Sequence, residues 1–213
     1  MYPITTINPG CDHLVCCLHG YNSNNQIMSQ TLAPLVQAHP STTFVFIEST
    51  TAINYVTHSS AVSPQALKQW LPLTSHKPTL KTACQPVVER LEQTINHLSN
   101  TQDCHSLSLL GYSQGAAIAL EWLLTTRFTL RNLVLFAPLQ PDAPERYREK
   151  INELNVTLIH GKQDRMIQWQ ETDNLAQSLK SQHVCKFVLL EQSGHALTAD
   201  TVNQTLSALP SFD

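Results

Sequence analysis

A serine framed by two glycines is the residue of this chain best suited to do covalent chemistry. It lies in Leu107-Ser108-Leu109-Leu110-Gly111-Tyr112-Ser113-Gln114-Gly115-Ala116-Ala117. The apolar run predicts a buried strand, the Gly-x-Ser-x-Gly pattern a tight turn, and the alanines a helix start. A turn this sharp holds Ser113 in a strained backbone conformation, and small flanking residues leave room for it. The helix aims its N–H groups and positive dipole end at the serine, so the Gln114 N–H can face a developing oxyanion.

A serine hydroxyl is a poor nucleophile near neutral pH and needs a base, which in turn needs a third group to fix its tautomer. The chain has 10 His, so position decides. His195 follows Gly194 in the loop after the last apolar run and is the expected base. Asp164 closes His160-Gly161-Lys162-Gln163-Asp164 after an earlier strand and is the expected orienting acid. His160 and His183 are rival bases, and Asp142 and Asp173 rival acids, in less suitable places. In these roles Ser113 attacks a carbonyl, His195 takes its proton and passes it to the leaving group, and Asp164 holds the imidazole.

The second oxyanion donor is expected in the loop after His13-Leu14-Val15-Cys16-Cys17-Leu18, with the Tyr21 N–H ahead of Asn22 and with His19 ordering the loop. Of the chain's 6 Gly, five (Gly20, Gly111, Gly115, Gly161 and Gly194) stand at strand ends or in loops beside His19, Ser113, Asp164 or His195. Trp70 and Leu71, in the long weakly periodic segment from Glu48 to Leu80, are expected in the acyl-pocket wall, with plain core as the alternative for Trp70. No metal-ligand spacing such as His-Glu-x-x-His occurs, and no metal or cofactor is expected.

These residues need a scaffold that brings several loops to one place. Thr5–Asp12 predicts a short strand and turn, and further strands are expected at His13–Leu18, Thr43–Ile47, Leu133–Phe136, Val156–Ile159 and Lys186–Leu190. Helices are expected with Met28, Leu32, Leu35 and Val36 on one face, kinked or restarted at Pro34; from Thr82 to Ser99, with Pro86 in the first turn; after Ser113; as a short charged helix after Pro144; from Trp169 to Ser181; and at the C-terminus around Leu197, Val202 and Leu206. Apolar strands alternating with helices predict a mostly parallel sheet covered on both faces, with ligands beyond the carboxyl ends of its strands.

The length of 213 residues, with no linker or repeat, suits one domain over 1–213. A net charge of −3 and a pI near 6.3 argue against a nucleic-acid partner. No signal peptide or apolar run of membrane-spanning length is apparent. Cys16 and Cys17 share a predicted strand, Cys11, Cys84, Cys104 and Cys185 form no Cys-x-x-Cys, and the six together read as reduced thiols of a cytoplasmic protein.

Four segments in order, Leu18-His19-Gly20-Tyr21-Asn22-Ser23-Asn24, Gly111-Tyr112-Ser113-Gln114-Gly115-Ala116, His160-Gly161-Lys162-Gln163-Asp164 and Ser193-Gly194-His195, resemble the phospholipase/carboxylesterase family of small α/β-hydrolases, which includes bacterial carboxylesterases and acyl-protein thioesterases. Gln69-Trp70-Leu71-Pro72-Leu73 is similar to the tryptophan segment of its bacterial members. The resemblance implies an α/β-hydrolase fold and cofactor-free hydrolysis of carboxyl esters or thioesters. Thr50–Ser63 departs from it, being rich in Ser and Thr where the family is rich in Pro and Gly. The expected function is a serine esterase for small or medium acyl chains. The alternatives are a thioesterase or lysophospholipase for long chains and a non-catalytic binding protein. The expected partner is a small-molecule ester or thioester, and the expected state a monomer or homodimer.

Overall fold

The computed structural model describes residues 1–10, 13–52, 67–71, 80–102, 104, 106–139, 141, 143–179 and 185–212. Cys11, Asp142, His183, Pro72, Leu73 and most of the segment between Glu48 and Leu80 lie outside the described residues.

The strands are β1 (Ile4–Ile7), β2 (His13–Leu18), β3 (Thr43–Ile47), the short pair β4 (Thr51–Ala52) and β5 (Lys68–Gln69), β6 (Ser106–Tyr112), β7 (Thr129–Phe136), β8 (Asn155–Gly161) and β9 (Cys185–Leu190). The helices are α1 (Asn25–Thr31), α2 (Ala33–Ala38), α3 (Leu80–Gln102), α4 (Gln114–Leu123), α5 (Arg148–Ile151), α6 (Trp169–Leu179) and α7 (Ala199–Thr205). Among the described residues, seven strands form one sheet in the order β1-β3-β2-β6-β7-β8-β9. All neighbours are parallel except β1, which runs antiparallel to β3.

Alternate strand residues feed two cores, as a sheet buried on both sides requires. Leu14, Cys16, Leu107, Leu109, Leu133 and Leu135 face the side covered by α3, α4 and α6. Val15, Cys17, Leu110, Val134, Phe136 and Ile159 face the side covered by α1, α2 and α7. Cys16 and Cys17 thus point to opposite faces, and the described cysteines are free thiols. At the end where β2 begins, a polar ladder crosses the sheet. His13 bonds the hydroxyls of Ser106 and Ser108 at 2.8 Å each, and Asn132 donates to Ser108 at 2.8 Å.

Local chemistry explains the helix ends. Asn24 caps α1 by accepting the Ile27 N–H at 2.8 Å. Pro34, in the first turn of α2, restarts the helix after Leu32. Two boundaries depart from the sequence expectation. Strand β7 begins at Thr129 rather than Leu133, because its first residues pair with β6 even though solvent reaches them. Helix α3 begins at Leu80, so Pro86 falls in its second turn, where it removes one backbone hydrogen bond. Leu197 precedes α7, whose start is capped by Thr198.

Candidate active site

Strand register sets the site. Leu18 lies opposite Gly111, Tyr112 opposite Phe136, and Gly161 opposite Leu190. The loops that follow β2, β6, β8 and β9 therefore emerge side by side at the carboxyl edge of the sheet, carrying His19, Ser113, Asp164 and His195.

Ser113 turns the chain from β6 into α4 with φ 52° and ψ −114°. A non-glycine residue held this way costs about 1–3 kcal/mol and persists only where its surroundings fix it. The Ser113 N–H donates to Phe136 O at 2.9 Å, which ties the turn to β7. Gly115 makes the turn possible. A Cβ there would lie 2.2 Å from Leu18 O and 2.5 Å from His19 O, so β2 and the start of α4 touch backbone to backbone. Gly161 does the same for the other loops, since a Cβ there would stand 2.2 Å from Gly194 O.

His195 Nε2 lies 3.1 Å from Ser113 Oγ, and His195 Nδ1 lies 2.7 Å from Asp164 Oδ2. The Asp164 side chain is fully buried. Its Oδ1 accepts the Met166 N–H at 2.7 Å and the Ile167 N–H at 3.0 Å. Burial pushes the carboxyl up, but the Ile167 N–H, His195 and the Met166 N–H outweigh it and hold the group below the usual aspartate range. Tyr112 donates its hydroxyl to His195 O at 3.1 Å and steadies that loop.

His19 is fully buried and orders the loop after β2. Its Nε2 accepts the Ser49 N–H at 3.2 Å, so Nδ1 carries the hydrogen and donates to Gly20 O at 2.7 Å. Burial pushes its pKa down to about 4. The Asn22 N–H donates to Lys68 O at 3.1 Å, which commits it to the β5 segment rather than to a ligand. Tyr21 lines a cleft of about 180 Å³ with His19, Ser23, Ile27, Tyr112 and Leu197.

Trp70 is 2 % exposed and belongs to the interior. Its Nε1–H donates to His19 O at 2.7 Å, its ring meets the His19 ring at a tilt of 30° with centroids 4.9 Å apart, and Tyr2 meets it edge-on. Leu71 is half-buried against the same core. Gln114 holds both, accepting the Trp70 N–H at 2.6 Å and donating to Leu71 O at 2.9 Å.

Of the rival histidines, His160 is drawn into the site, but as a second partner of the aspartate, with Nε2 3.0 Å from the same Asp164 Oδ2 that meets His195. Sequence weighed it as a competitor of His195; its position four residues before Asp164, at a strand end, was the available signal. The rival acid Asp173 sits in α6 and bonds Gln177 at 2.8 Å. Among the described residues, no group of three or more His, Cys, Asp or Glu could hold a metal ion, and no helix is long and apolar enough to cross a membrane.

A parallel sheet whose strand-to-helix turn presents a strained serine, with histidine and aspartate supplied by later loops, defines an α/β-hydrolase. The chain belongs to the phospholipase/carboxylesterase family, whose model matches residues 8–210, and is a serine hydrolase. Among solved structures it resembles esterase PE8, with 21 % identity, 97 % of this chain and 96 % of that one covered, and a TM-score of 0.75. It also resembles Zea mays acyl-protein thioesterase 2, with 14 % identity, 98 % and 97 % coverage, and a TM-score of 0.73. The Bacillus cereus carboxylesterase follows with 15 % identity, 98 % and 93 % coverage, and a TM-score of 0.68. At these identities the likeness is one of fold. No curated protein sequence matches the chain.

Proposed function

We propose that this protein hydrolyses carboxylic esters of small or medium acyl chains through Ser113, His195 and Asp164. The observation that carries this reading is the hydrogen-bond path from Ser113 Oγ through the imidazole to Asp164, at 3.1 and 2.7 Å. Ser113 Oγ attacks the ester carbonyl while His195 Nε2 takes its proton. The N–H groups of Gln114 and Tyr21 receive the oxyanion. Gln114 is the first residue of α4, where a helix cannot satisfy its own N–H groups. The intermediate collapses to an acyl-serine as His195 returns the proton to the leaving alcohol. Water, activated by the same imidazole, then releases the acid. Trp70 supports the loop that carries Tyr21 through its bond to His19 O, and Leu71 is held beside it by Gln114. The free cysteines support action in a reducing, cytoplasmic compartment.

A cleft of about 180 Å³ lies beside Tyr21, the proposed second oxyanion donor, and supports the reading of a short acyl group. One observation favours a second reading, hydrolysis of long-chain thioesters or lysophospholipids. Ile27 lines the cleft and is 40 % exposed, an apolar rim along which a longer chain could continue.

Turnover of p-nitrophenyl acetate and butyrate by wild type and Ser113→Ala tests the main reading. The variant is expected to lose activity, and wild-type turnover by it would overturn the assignment. A series from acetyl to palmitoyl esters and thioesters separates the two substrate classes, with rates that rise toward palmitoyl favouring the second.

A further inference from the structure

The Asp164 carboxylate bonds two histidines. Its Oδ2 is met at 2.7 Å by His195 Nδ1 and at 3.0 Å by His160 Nε2. His160 is 1 % exposed and its ring is held on every polar atom. Nε2 also lies 3.1 Å from Ile167 O, and Nδ1 lies 2.7 Å from the Thr172 hydroxyl.

These partners fix the tautomer. Both groups facing Nε2, a carboxylate oxygen and a carbonyl, are acceptors, so Nε2 must carry a hydrogen. Burial pushes this histidine below its ordinary pKa, against the opposing pull of Ile167 O and Asp164, and keeps the ring neutral. Nδ1 is then an acceptor and takes the Thr172 hydroxyl hydrogen. The hydroxyl's other neighbour, Pro138 O, is farther away at 3.4 Å. Asp164, which favours the charged ring, and His195, which opposes it, are the titratable groups that act on this ring.

We propose that His160 is a positioning residue of the reaction: its Nε2–H, aimed by Thr172, shares Asp164 Oδ2 with His195, locks the carboxylate's orientation and limits its pull on the His195 ring. The inference rests on the triad reading given above.

The geometry carries the argument in two steps. Oδ1 is filled by the N–H groups of Met166 and Ile167, and Oδ2 by the two histidines, so the carboxylate's four favourable acceptor sites are occupied and it cannot rotate without breaking bonds at both ends. Ile167 closes the loop, because its N–H donates to Oδ1 while its carbonyl accepts from His160. A second donor on Oδ2 also draws electron density from the bond to His195. Without it, Asp164 would stabilise the imidazolium more strongly, and His195 would become available as a base only at higher pH.

The test compares three variants with wild type in kcat and kcat/KM for p-nitrophenyl butyrate between about pH 5 and 9, alongside thermal unfolding. His160→Phe keeps a ring but removes the donor. It is expected to lose about tenfold or more in kcat and to shift the acid limb of kcat/KM upward by about half a pH unit. His160→Gln, whose amide nitrogen can reach the place of Nε2, is expected to restore both toward wild type. Thr172→Val keeps the shape but removes the Nδ1 partner that aims the ring, and is expected to shift the acid limb in the same direction to a smaller extent. A purely structural role would lower the unfolding temperature and leave the acid limb where it is. A folded His160→Phe with wild-type kcat and acid limb overturns the proposal. Should that variant not fold, a wild-type acid limb and kcat in Thr172→Val overturns it instead. Ser113→Ala separates the two failures: if it is inactive while the His160 variants behave as wild type, only the positioning role falls, and if it stays active the triad reading falls first.

Discussion

Gln114, the residue after Ser113, clamps Trp70 with its side chain, taking the Trp70 N–H at 2.6 Å while its own amide N–H₂ reaches Leu71 O at 2.9 Å. The residue proposed to receive the oxyanion through its backbone thus also holds, through its side chain, the segment that supports the other oxyanion loop. Gln114→Ala leaves the backbone donor in place but strands the Trp70 N–H in the interior. Leaving a buried polar group unpaired costs about 1–3 kcal/mol. Urea unfolding is expected to show a loss of that size, together with a lower kcat as the loop at His19–Tyr21 loosens through the Trp70–His19 bond. Unchanged midpoints in urea would show that the clamp contributes nothing.

Much of this arrangement could be read from residue types. The turn at Ser113, the loops at Asp164 and His195, and the strands at β2, β3 and β8 each rest on local signals, an apolar run ended by glycine and polar residues. The restart at Pro34 was likewise written in one residue's missing N–H. What was not legible depends on contacts between distant segments. Trp70 looks the same in sequence whether it faces a ligand or the interior, and only the His19 carbonyl and the Gln114 amide draw it inside. Asn22 is committed by its pairing with Lys68, 46 positions along the chain by subtraction. His160 could be ranked as a base by sequence, but its bond to the oxygen of Asp164 that His195 also meets follows from how β8 presents its last residues to the start of α6.

Asp164→Asn is expected to lower kcat by about 10⁴ while leaving a folded protein. The amide nitrogen would face two ring N–H groups, from His195 and His160, in place of the oxygen both now share. His195 would then favour the tautomer that carries its hydrogen on Nε2, which cannot accept the Ser113 proton. Steady-state kinetics on a p-nitrophenyl ester, with circular dichroism to check the fold, measures this. Retention of most of the turnover would remove Asp164 from the mechanism.

Stability is expected to fall as the solution is acidified from about pH 6.5 to pH 4. Burial holds both His13 and His19 down to a pKa of about 4, with the Arg131 charge adding to the effect at His13 and the Gly20 carbonyl opposing it at His19. In the unfolded chain a histidine titrates near 6.5. Between those values the unfolded state binds protons that the folded state refuses, so the equilibrium moves toward unfolding as pH drops, by up to about 3 kcal/mol for each histidine. His160, also lowered, acts in the same direction. Above pH 7 these groups are neutral in both states and the effect vanishes. Thermal midpoints in a buffer series test this, and equal midpoints at pH 7 and pH 5 would refute it.

Strand β9, at one edge of the main sheet, is the strand from which the His195 loop departs. Among the described residues it pairs with β8 alone, and most of its residues are only partly covered. The proposed general base is therefore tethered to an edge strand, while the proposed nucleophile follows β6 near the middle of the sheet. Sub-global opening at such an edge requires less free energy than global unfolding. A partially opened form that has released β9 would keep Ser113 in its turn yet lack its proton acceptor. On the proposed triad, fraying at this edge is expected to inactivate the enzyme before the core collapses.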